Sequence, residues 1–161
     1  MIEGHELTDA DRVLIEAARN IVRLRHVPRW NSVGAAMRTR AGRTYVAIHL
    51  DAAVGRVAVC AEMIALGMAV AEGDLPIDCI VAVAWHGEDD WEVLPPCGMC
   101  RELLSDYAPD ASVIVPMSGA LAKVVLSDLL PIKQESAEKY PPPRERRAAT
   151  QSQPASRRAQ H

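Results

Sequence analysis

Three cysteines and one glutamate have residue types and a spacing that suit a catalytic metal site. Cys97 and Cys100 form a C-x-x-C pair in the segment PPCGMC, and Cys60 stands 37 residues before Cys97. Glu62 follows Cys60 by two positions inside the otherwise apolar stretch RVAVCAEMIALGMAV. Catalytic zinc sites keep three protein ligands in a tetrahedral arrangement and leave the fourth position for water. The pattern therefore predicts one zinc ion held by the three thiolates, with Glu62 exchanging protons beside it.

Two other kinds of site use similar residues. A C-x-x-C pair can be a redox centre, but that interpretation leaves Cys60 and Glu62 unexplained. A structural zinc needs a fourth ligand, for which His49 and His86 are the candidates, and neither stands at a regular ligand spacing. Cys79, inside the β-branched run PIDCIVAV, is predicted to be a small buried core residue.

Two predicted helices carry the metal-site residues near their starts. The apolar segment GRVAVCAEMIALGMAVAEGD indicates one helix that is closed by Gly73. The second helix follows from CGMCRELLSDYA, whose residues after the cysteines are good helix formers. Because helix N-termini favour negative charge, two of them can face a group of thiolates.

The remaining segments predict a sheet covered by helices. LTDADRVLIEAARNIVRLRH indicates an amphipathic helix capped at Thr8 or Asp9, with an apolar face of Val13, Leu14, Ala17, Ile21 and Leu24. SVGAAMRTR and RTYVAIHL form a hairpin pattern, PIDCIVAVAW and ASVIVPM indicate buried strands, and AKVVLSDLLP indicates a short strand and a helix turn. HGEDDWEVLPP is interpreted as a polar loop. The order α-β-β-α-β-α-β-β predicts an α/β fold with a mixed sheet.

Composition indicates one globular domain followed by a tail. The chain has 161 residues, of which 49% are apolar and 24% are charged, and aromatic residues are scarce. Residues 133–161 are rich in Pro, Ser, Gln and Arg and carry 7 basic and 3 acidic side chains. We therefore expect a folded domain over residues 1–132 and a disordered Pro/Arg-rich tail over 133–161.

Charge and hydropathy exclude several classes of partner. Residues 1–132 hold 11 basic and 18 acidic side chains, so this part repels phosphates, and nucleic acid is not an expected ligand. The polar start MIEGHELTDADRV is unlike a signal or transit peptide, and no apolar run has the length that spans a bilayer. Four cysteines without such a signal favour a reducing compartment, which predicts a cytoplasmic location.

The segments CAE at 60–62 and PCGMC at 96–100 together resemble the zinc signature of the cytidine deaminase superfamily. The three-cysteine version is similar to the small homotetrameric cytidine deaminases and to blasticidin S deaminase. The likeness extends over most of residues 10–132. It implies a three-layer α-β-α sandwich with a mixed five-stranded sheet, one Zn²⁺ per chain and a homotetramer that acts in pyrimidine salvage.

The resemblance also implies roles for individual residues. An activated water attacks C4 of a cytosine ring, and Glu62 protonates N3 and then the departing ammonia. The backbone N–H of Ala61 holds the developing oxygen charge. Carbonyl groups near Pro95 and Cys97 face the leaving amine. The implied activity is hydrolytic deamination of cytidine, deoxycytidine or an analogue.

The chain departs from the family pattern around the expected substrate. The sugar-binding N-x-E segment is replaced by His49, Leu50 and Asp51. An aromatic residue is absent at Asn31, although Trp30 is adjacent and could cover the base. These changes keep a modified or antibiotic nucleoside such as blasticidin S as the alternative substrate. A zinc-stabilised binding module that docks nucleic acid through the tail is the alternative from another class.

A further departure concerns charge. The arginine that often follows CAE is Met63 in this chain. Three thiolates and one Zn²⁺ sum to a charge of −1, which a nearby cation would moderate. Arg101, next to Cys100, is the first candidate for this role, and Arg56 is the second.

Overall fold

A six-stranded mixed sheet lies at the centre of the computed structural model, which describes residues 2–133. The helices are α1 (Asp9–Arg25), α2 (Ala61–Glu72) and α3 (Gly98–Tyr107). The strands are β1 (Val33–Thr39), β2 (Thr44–Ile48), β3 (Ile77–Gly87), β4 (Asp90–Leu94), β5 (Ser112–Met117) and β6 (Ala120–Val125). Two short 3₁₀ turns cover Gly55–Val57 and Leu126–Leu129.

The strand order along the sheet is β2-β1-β3-β5-β6, and β4 pairs with β3 off this path. The β3–β5 pair is parallel and the other pairs are antiparallel. The central strand β3 is buried along most of its length, as its continuous apolar sequence predicts. Cys79 lies in this strand and is buried, which confirms its assignment to the core.

Strand β4 corrects the prediction of a polar loop over this region, and it adds a sixth strand to the five predicted ones. Its sequence DWEVL alternates polar and apolar residues, but the acidic residues before it conceal the pattern. Trp91 lies opposite Trp85 of β3, so the hairpin gains a cross-strand aromatic pair. The turn is made by Gly87, Glu88 and Asp89, all with positive φ.

The helices cover the two faces of the sheet, which confirms the predicted three-layer α-β-α sandwich. Helix α1 packs on one face, where its buried side chains meet Val81 and Val83 of β3. Helices α2 and α3 pack on the other face, around Met37, Ile80 and Leu104. Among residues 2–133, no helix combines the length and the apolar character that crossing a membrane requires.

Helix α1 begins where predicted, but its buried face is rotated from the predicted one. Thr8 is the N-cap, and it forms a reciprocal capping box with Asp11. Of the predicted apolar face only Leu14 is fully buried, whereas Val13 and Leu24 remain 69% and 68% exposed. The core contacts come instead from Leu14, Ile15, Ala18 and Val22. Asp11, completely buried, lies on the same face and pairs with cations of the sheet that are described below.

Helix α2 is shorter than predicted at its start. Residues Gly55–Val57 form a separate 3₁₀ turn, and the α-helix begins only after Cys60, its N-cap. Gly73 closes the helix in the left-handed conformation with φ 74°, as predicted. At the other end of the described chain, Lys133 forms an ion pair with Asp106 of α3. The predicted tail beyond Lys133 lies outside the described residues.

Candidate active site

The three predicted zinc ligands meet at the starts of two helices. Cys60 is the N-cap of α2 and Cys97 is the N-cap of α3, so both sulfurs lie where helix N–H groups point. Cys100, in the first turn of α3, is completely buried. All three sulfur atoms lie within 4.8 Å of one another. The Sγ atoms of Cys60 and Cys97 are 3.6 Å apart.

This donor set fits tetrahedral zinc. Zn–S bonds of about 2.3 Å at tetrahedral angles require sulfur atoms about 3.8 Å apart. The 3.6 Å between Cys60 and Cys97 is close to that edge length. Within residues 2–133 the cluster of potential ligands contains the three cysteines and no fourth residue. Three ligands are the number that a catalytic zinc site uses, whereas a structural site needs four.

The two histidines considered as a fourth ligand are engaged elsewhere. The His86 ring nitrogen Nε2 lies 3.2 Å from a carboxylate oxygen of Glu92 on the neighbouring strand. The His49 nitrogen Nδ1 accepts hydrogen bonds from the backbone. Among residues 2–133, neither histidine belongs to the cluster of potential ligand atoms, so neither closes the coordination of the three sulfurs.

The three thiols differ in how readily they ionise. Burial raises the pKa of Cys60 and of Cys100, and the nearby Glu62 charge raises both further. Burial also acts to raise the pKa of Cys97, but hydrogen bonds from the backbone and side chain of Cys100 outweigh it and lower that pKa. The backbone contact joins Cys100 N to Cys97 Sγ at 3.5 Å. Because metal binding requires thiolates, Cys97 is the sulfur best prepared for it.

A cavity of about 180 Å³ opens beside the sulfurs. Cys60, Cys97 and Glu62 lie in its lining, and Glu62 is only 5% exposed. The cavity thus combines two metal-binding sulfurs with a buried carboxylate. Its other walls are mainly small apolar side chains, which suit a flat ring: Val33, Ala58, Val59, Ala82 and Leu94.

Three of the predicted substrate-binding residues line this cavity, namely Ala61, His49 and Pro95. Ala61 is the first residue of α2, so its N–H has no acceptor within the helix. Pro95 follows Leu94, the last residue of β4, and places the chain that leads to Cys97 against the cavity.

Two further predicted residues lie outside the cavity lining. Trp30 is 49% exposed, and its carbonyl accepts a hydrogen bond from the backbone of Asp51 at 3.3 Å. The Asp51 carboxylate is exposed and accepts from Ala52 N at 2.7 Å. The structure therefore brings His49 to the cavity without Asp51 or Trp30.

The predicted charge-tuning arginines make no hydrogen bond to a sulfur. Arg101 donates from Nε to the carbonyl of Pro96 at 2.8 Å and from Nη1 to that of Leu129 at 3.2 Å. Its contacts tie the segment before Cys97 to the 3₁₀ turn after β6. Arg56 is exposed in the turn Gly55–Val57.

Some residues that shape the site were not found from the sequence. Asn31 donates from Nδ2 to the carbonyl of His49 at 2.8 Å and so holds that residue in place. Val33 and Ala82 come from the neighbouring strands β1 and β3 and form walls of the cavity. Ala58 and Val59 directly precede Cys60 in the sequence, and this closeness to a predicted zinc ligand could have identified them as wall residues of the cavity.

Comparison with known proteins places this site in a family. Residues 8–116 match the family model described as the cytidine and deoxycytidylate deaminase zinc-binding region. The chain is 43% identical over 131 residues to the blasticidin-S deaminase of Bacillus cereus, covering 79% of this chain and 94% of that protein. It is 32% identical over 101 residues to the cytidine deaminase of Halalkalibacterium halodurans, covering 62% and 74%.

Solved structures agree with this assignment. The cytidine deaminase from Burkholderia pseudomallei has 30% sequence identity and a TM-score of 0.64, with 80% of this chain and all of that chain covered. The cytidine deaminase from Mycobacterium leprae has 25% identity and a TM-score of 0.65, covering 78% of this chain and all of that chain. The predicted α/β fold, zinc cofactor and hydrolytic deaminase class are confirmed. The chain belongs to the cytidine and deoxycytidylate deaminase family.

Proposed function

We propose that this chain hydrolyses the amino group at C4 of a cytosine nucleoside, giving the uracil nucleoside and ammonia. The observation that carries the proposal is the juxtaposition of a buried carboxylate with three sulfur atoms. Glu62, Cys60 and Cys97 line one cavity, and Cys100 completes the sulfur cluster beneath it.

The residues of the site divide the reaction between them. Cys60, Cys97 and Cys100 would hold the zinc ion, which supplies Lewis-acid activation of water when bound. The net reaction adds the oxygen of one water molecule to C4, breaks the C4–N4 bond and releases N4 as ammonia. Glu62 takes a proton from that water and delivers it to N3, and a second transfer through the same carboxylate protonates N4.

The backbone around Glu62 completes the proposed machinery. The free N–H of Ala61 is a donor for the oxygen atom on which charge develops at C4. Pro95 forms the wall along which the amino group leaves. Arg101 donates from Nε to the carbonyl of Pro96 and from its backbone N–H to the carbonyl of Cys97, so the carbonyl of Pro95 is the one we propose for receiving the amine.

Replacing Glu62 tests this function directly. We expect Glu62→Gln and Glu62→Ala to retain one zinc per chain, because the three sulfurs remain, and to lose ammonia release by about 10²–10⁴-fold. Zinc content is measured by atomic emission and turnover by ammonia detection on cytidine. Unchanged turnover in either variant would overturn the proposal, whereas absence of ammonia release from the zinc-loaded wild-type protein would favour the non-catalytic binding module.

A modified or antibiotic nucleoside is the second candidate substrate. The 43% identity to a blasticidin-S deaminase and the placement of Asp51 outside the cavity favour it. Parallel assays on cytidine, deoxycytidine and blasticidin S distinguish the two candidates. A kcat/KM that is highest for blasticidin S supports the antibiotic, and a preference for cytidine or deoxycytidine supports the plain nucleoside.

We further propose that the enzyme is a homotetramer. Helix α2 is apolar around most of its circumference, and on the side away from the core it presents Gly67 and Met68 to solvent, with Met68 43% exposed. Such a face suits contact with a second copy of the helix. Sedimentation velocity of the zinc-loaded protein tests this, and a fully active monomer would contradict it.

The remaining proposals concern organisation and location. We assign the deaminase to residues 1–132 and propose that it acts in pyrimidine salvage. We place it in the cytoplasm, because free thiols persist in a reducing compartment. Deleting residues 134–161 is expected to leave nucleoside turnover intact. A deletion that abolished turnover, or a salt-sensitive affinity of the full chain for nucleic acid, would contradict this division.

A further inference from the structure

Two of the three zinc-binding cysteines form a close sulfur–sulfur pair at the cavity. The Sγ atoms of Cys60 and Cys97 are 3.6 Å apart, and both residues belong to the cavity lining. Cys97 is exposed and Cys60 is partly exposed, whereas Cys100 is completely buried. A small reagent that enters the cavity therefore reaches Cys97 and Cys60 before it reaches Cys100.

The positions of Cys60 and Cys97 suit a bond between them. A disulfide needs an S–S distance of about 2.05 Å, so the two sulfur atoms must approach each other by about 1.5 Å. Cys60 is the N-cap of α2 and Cys97 is the N-cap of α3, so both side chains lie at helix ends. The two helices pack on the same face of the sheet and keep these ends together. The bond would join residues that are 37 positions apart in the chain.

Cys100 is less suited as the partner of either cysteine. It lies in the first turn of α3 and belongs to the hydrophobic core on the α2–α3 face of the sheet. Its backbone N–H points at Cys97 Sγ at 3.5 Å and so favours negative charge on that sulfur. Because oxidation of a cysteine follows its thiolate character and its exposure, Cys97 is the first target of an oxidant.

We propose that Cys60 and Cys97 form a reversible disulfide when a peroxide enters the cavity, and that this bond releases zinc and switches the site off. The proposal goes beyond the deaminase reaction and does not depend on which nucleoside is the substrate. It also differs from a redox centre within the C-x-x-C pair, because the bond joins two helices and leaves Cys100 as a thiol.

The oxidation is a two-electron reaction with hydrogen peroxide as the oxidant. The Cys97 thiolate attacks one peroxide oxygen, so that an S–O bond forms, the O–O bond breaks and hydroxide leaves. The Cys60 thiolate then attacks the Cys97 sulfur, so that the S–S bond forms, the S–O bond breaks and a second hydroxide leaves. Two thiolates are oxidised and one peroxide is reduced. Cys100 alone then remains as a ligand, which is too few for a zinc site.

The test treats the zinc-loaded full chain with a small molar excess of hydrogen peroxide. Remaining thiols are alkylated in denaturant, and the chain is cleaved with trypsin and Glu-C without reduction. Cys60 then lies in VAVCAE, residues 57–62, and the C-x-x-C pair lies in VLPPCGMCR, residues 93–101. We expect mass spectrometry to show these two peptides linked, with the alkyl group on Cys100. A chromogenic chelator should register one zinc released per disulfide.

The peptide map also contains the outcomes that contradict the proposal. A bond between Cys97 and Cys100, a link from Cys60 to Cys100, or zinc release without any disulfide would overturn it. Retention of zinc and of all thiols under excess peroxide would overturn it as well. Dithiothreitol and added zinc should restore one zinc per chain, and a failure to do so would contradict reversibility.

Two variants serve as controls. Cys79→Ala removes a buried cysteine outside the cluster, so the link and the zinc release should be unchanged, and their loss would count against the proposal. Cys60→Asp keeps a potential zinc ligand and removes the disulfide partner, so the same peroxide dose should leave its zinc bound. Zinc loss as fast as in the wild-type protein would show that the disulfide does not drive release. If this variant does not load zinc, the wild-type peptide map decides the proposal by itself.

Discussion

At the scale of single residues, Cys97 shows how one side chain serves folding and chemistry together. It caps α3, it accepts the N–H of Cys100, and its sulfur lies 3.6 Å from that of Cys60. The hydrogen bond from Cys100 N that caps the helix is also one of the contacts that lower the pKa of the Cys97 thiol, together with those from the Cys100 and Cys60 side chains. The start of the helix therefore prepares a thiolate where the metal is needed.

Arg101 provides a prediction at this scale, because charge and position can be separated. If the hydrogen bonds to the Pro96 and Leu129 carbonyls are what matters, Arg101→Lys and Arg101→Met should lower kcat/KM to a similar extent while zinc is retained. Each should also destabilise the fold by about 1–3 kcal/mol, since a buried carbonyl loses its donor. Thermal unfolding and steady-state kinetics measure both effects. Full rescue by lysine would show that the positive charge is what counts.

At the scale of elements, the segment before each cysteine-bearing helix positions that helix. The bridge between Leu50 and Val59 precedes Cys60, and the pairing of β4 with β3 precedes Cys97. Helix α1 is anchored separately, on the opposite face of the sheet. Its buried Asp11 forms ion pairs of 2.9 Å with Arg38 of β1 and with Lys123 of β6.

The Asp11 cluster predicts how stability depends on pH. Burial alone would raise the pKa of Asp11, but hydrogen bonds from Thr8, Lys123 and Arg38 together lower it below its ordinary value of 3.8. The stabilisation is thus present above about pH 4 and is lost as the pH falls through the lower folded-state pKa. Asp11→Asn should cost about 3 kcal/mol at pH 7, because it leaves two cations without their buried partner.

The measurement for Asp11 is the free energy of unfolding in urea between pH 7 and pH 3. The cost of Asp11→Asn should shrink as the pH falls toward 3. The exposed Asp9→Asn, in the same helical turn, is the matched control and should show a small cost throughout. If the cost of Asp11→Asn instead grew as the pH fell, stabilisation by the Asp11 charge would be contradicted.

Gly34 lies where α1 approaches the sheet closely enough to leave no room for a side chain at this position. A Cβ atom at Gly34 would lie 2.6 Å from the carbonyl oxygen of Ala18 and 3.0 Å from side-chain atoms of Ile21 and Val22. Because the obstacle includes backbone, Gly34→Ala should destabilise the fold by about 1–3 kcal/mol. Gly55→Ala, where a Cβ meets nothing within 4 Å, is the control. Equal unfolding midpoints for the two variants would contradict the close approach.

At the scale of the whole molecule, the sheet and the metal site contribute differently to stability. The core on each face of the sheet is formed mainly by other side chains, although Cys100 belongs to it and Cys60 packs against it. The zinc site joins the starts of α2 and α3 at the edge of that core. The fold should therefore outlast the loss of the metal, although with lower stability.

Removing zinc with a chelator tests this division. At zinc concentrations near a thousand times the Kd, binding contributes about 4 kcal/mol, so the unfolding temperature should fall by about 10 °C in the zinc-free protein. Far-UV circular dichroism should keep its native shape, and added zinc should restore the temperature. Complete unfolding on chelation, or an unchanged unfolding temperature, would contradict the predicted division.

The sequence by itself determined the three-layer order of the fold and the zinc cluster. Strand β3 is a continuous apolar run that predicts a buried strand, and the resemblance of CAE and PCGMC to a known zinc signature implied the three-layer order and favoured catalytic zinc over the redox and structural alternatives. Strand β4 was not predicted, because a five-residue strand beside acidic turn residues shows only a weak alternation of polar and apolar residues. The buried face of α1 differs from the predicted one because two overlapping apolar stripes run along this helix, and the one with Ile15, Ala18 and Val22 packs on the sheet.

Only the tertiary structure decided how the substrate side of the site is arranged. Whether His49, Asp51 or Trp30 faces the cavity depends on hydrogen bonds between segments that are remote from one another in the chain, such as those from Ser32 and Val33. The role of Arg101 likewise depends on carbonyl groups 5 and 28 residues away. Metal ligands follow from residue type and spacing, whereas the direction of each remaining polar side chain is set by the partners that folding brings to it.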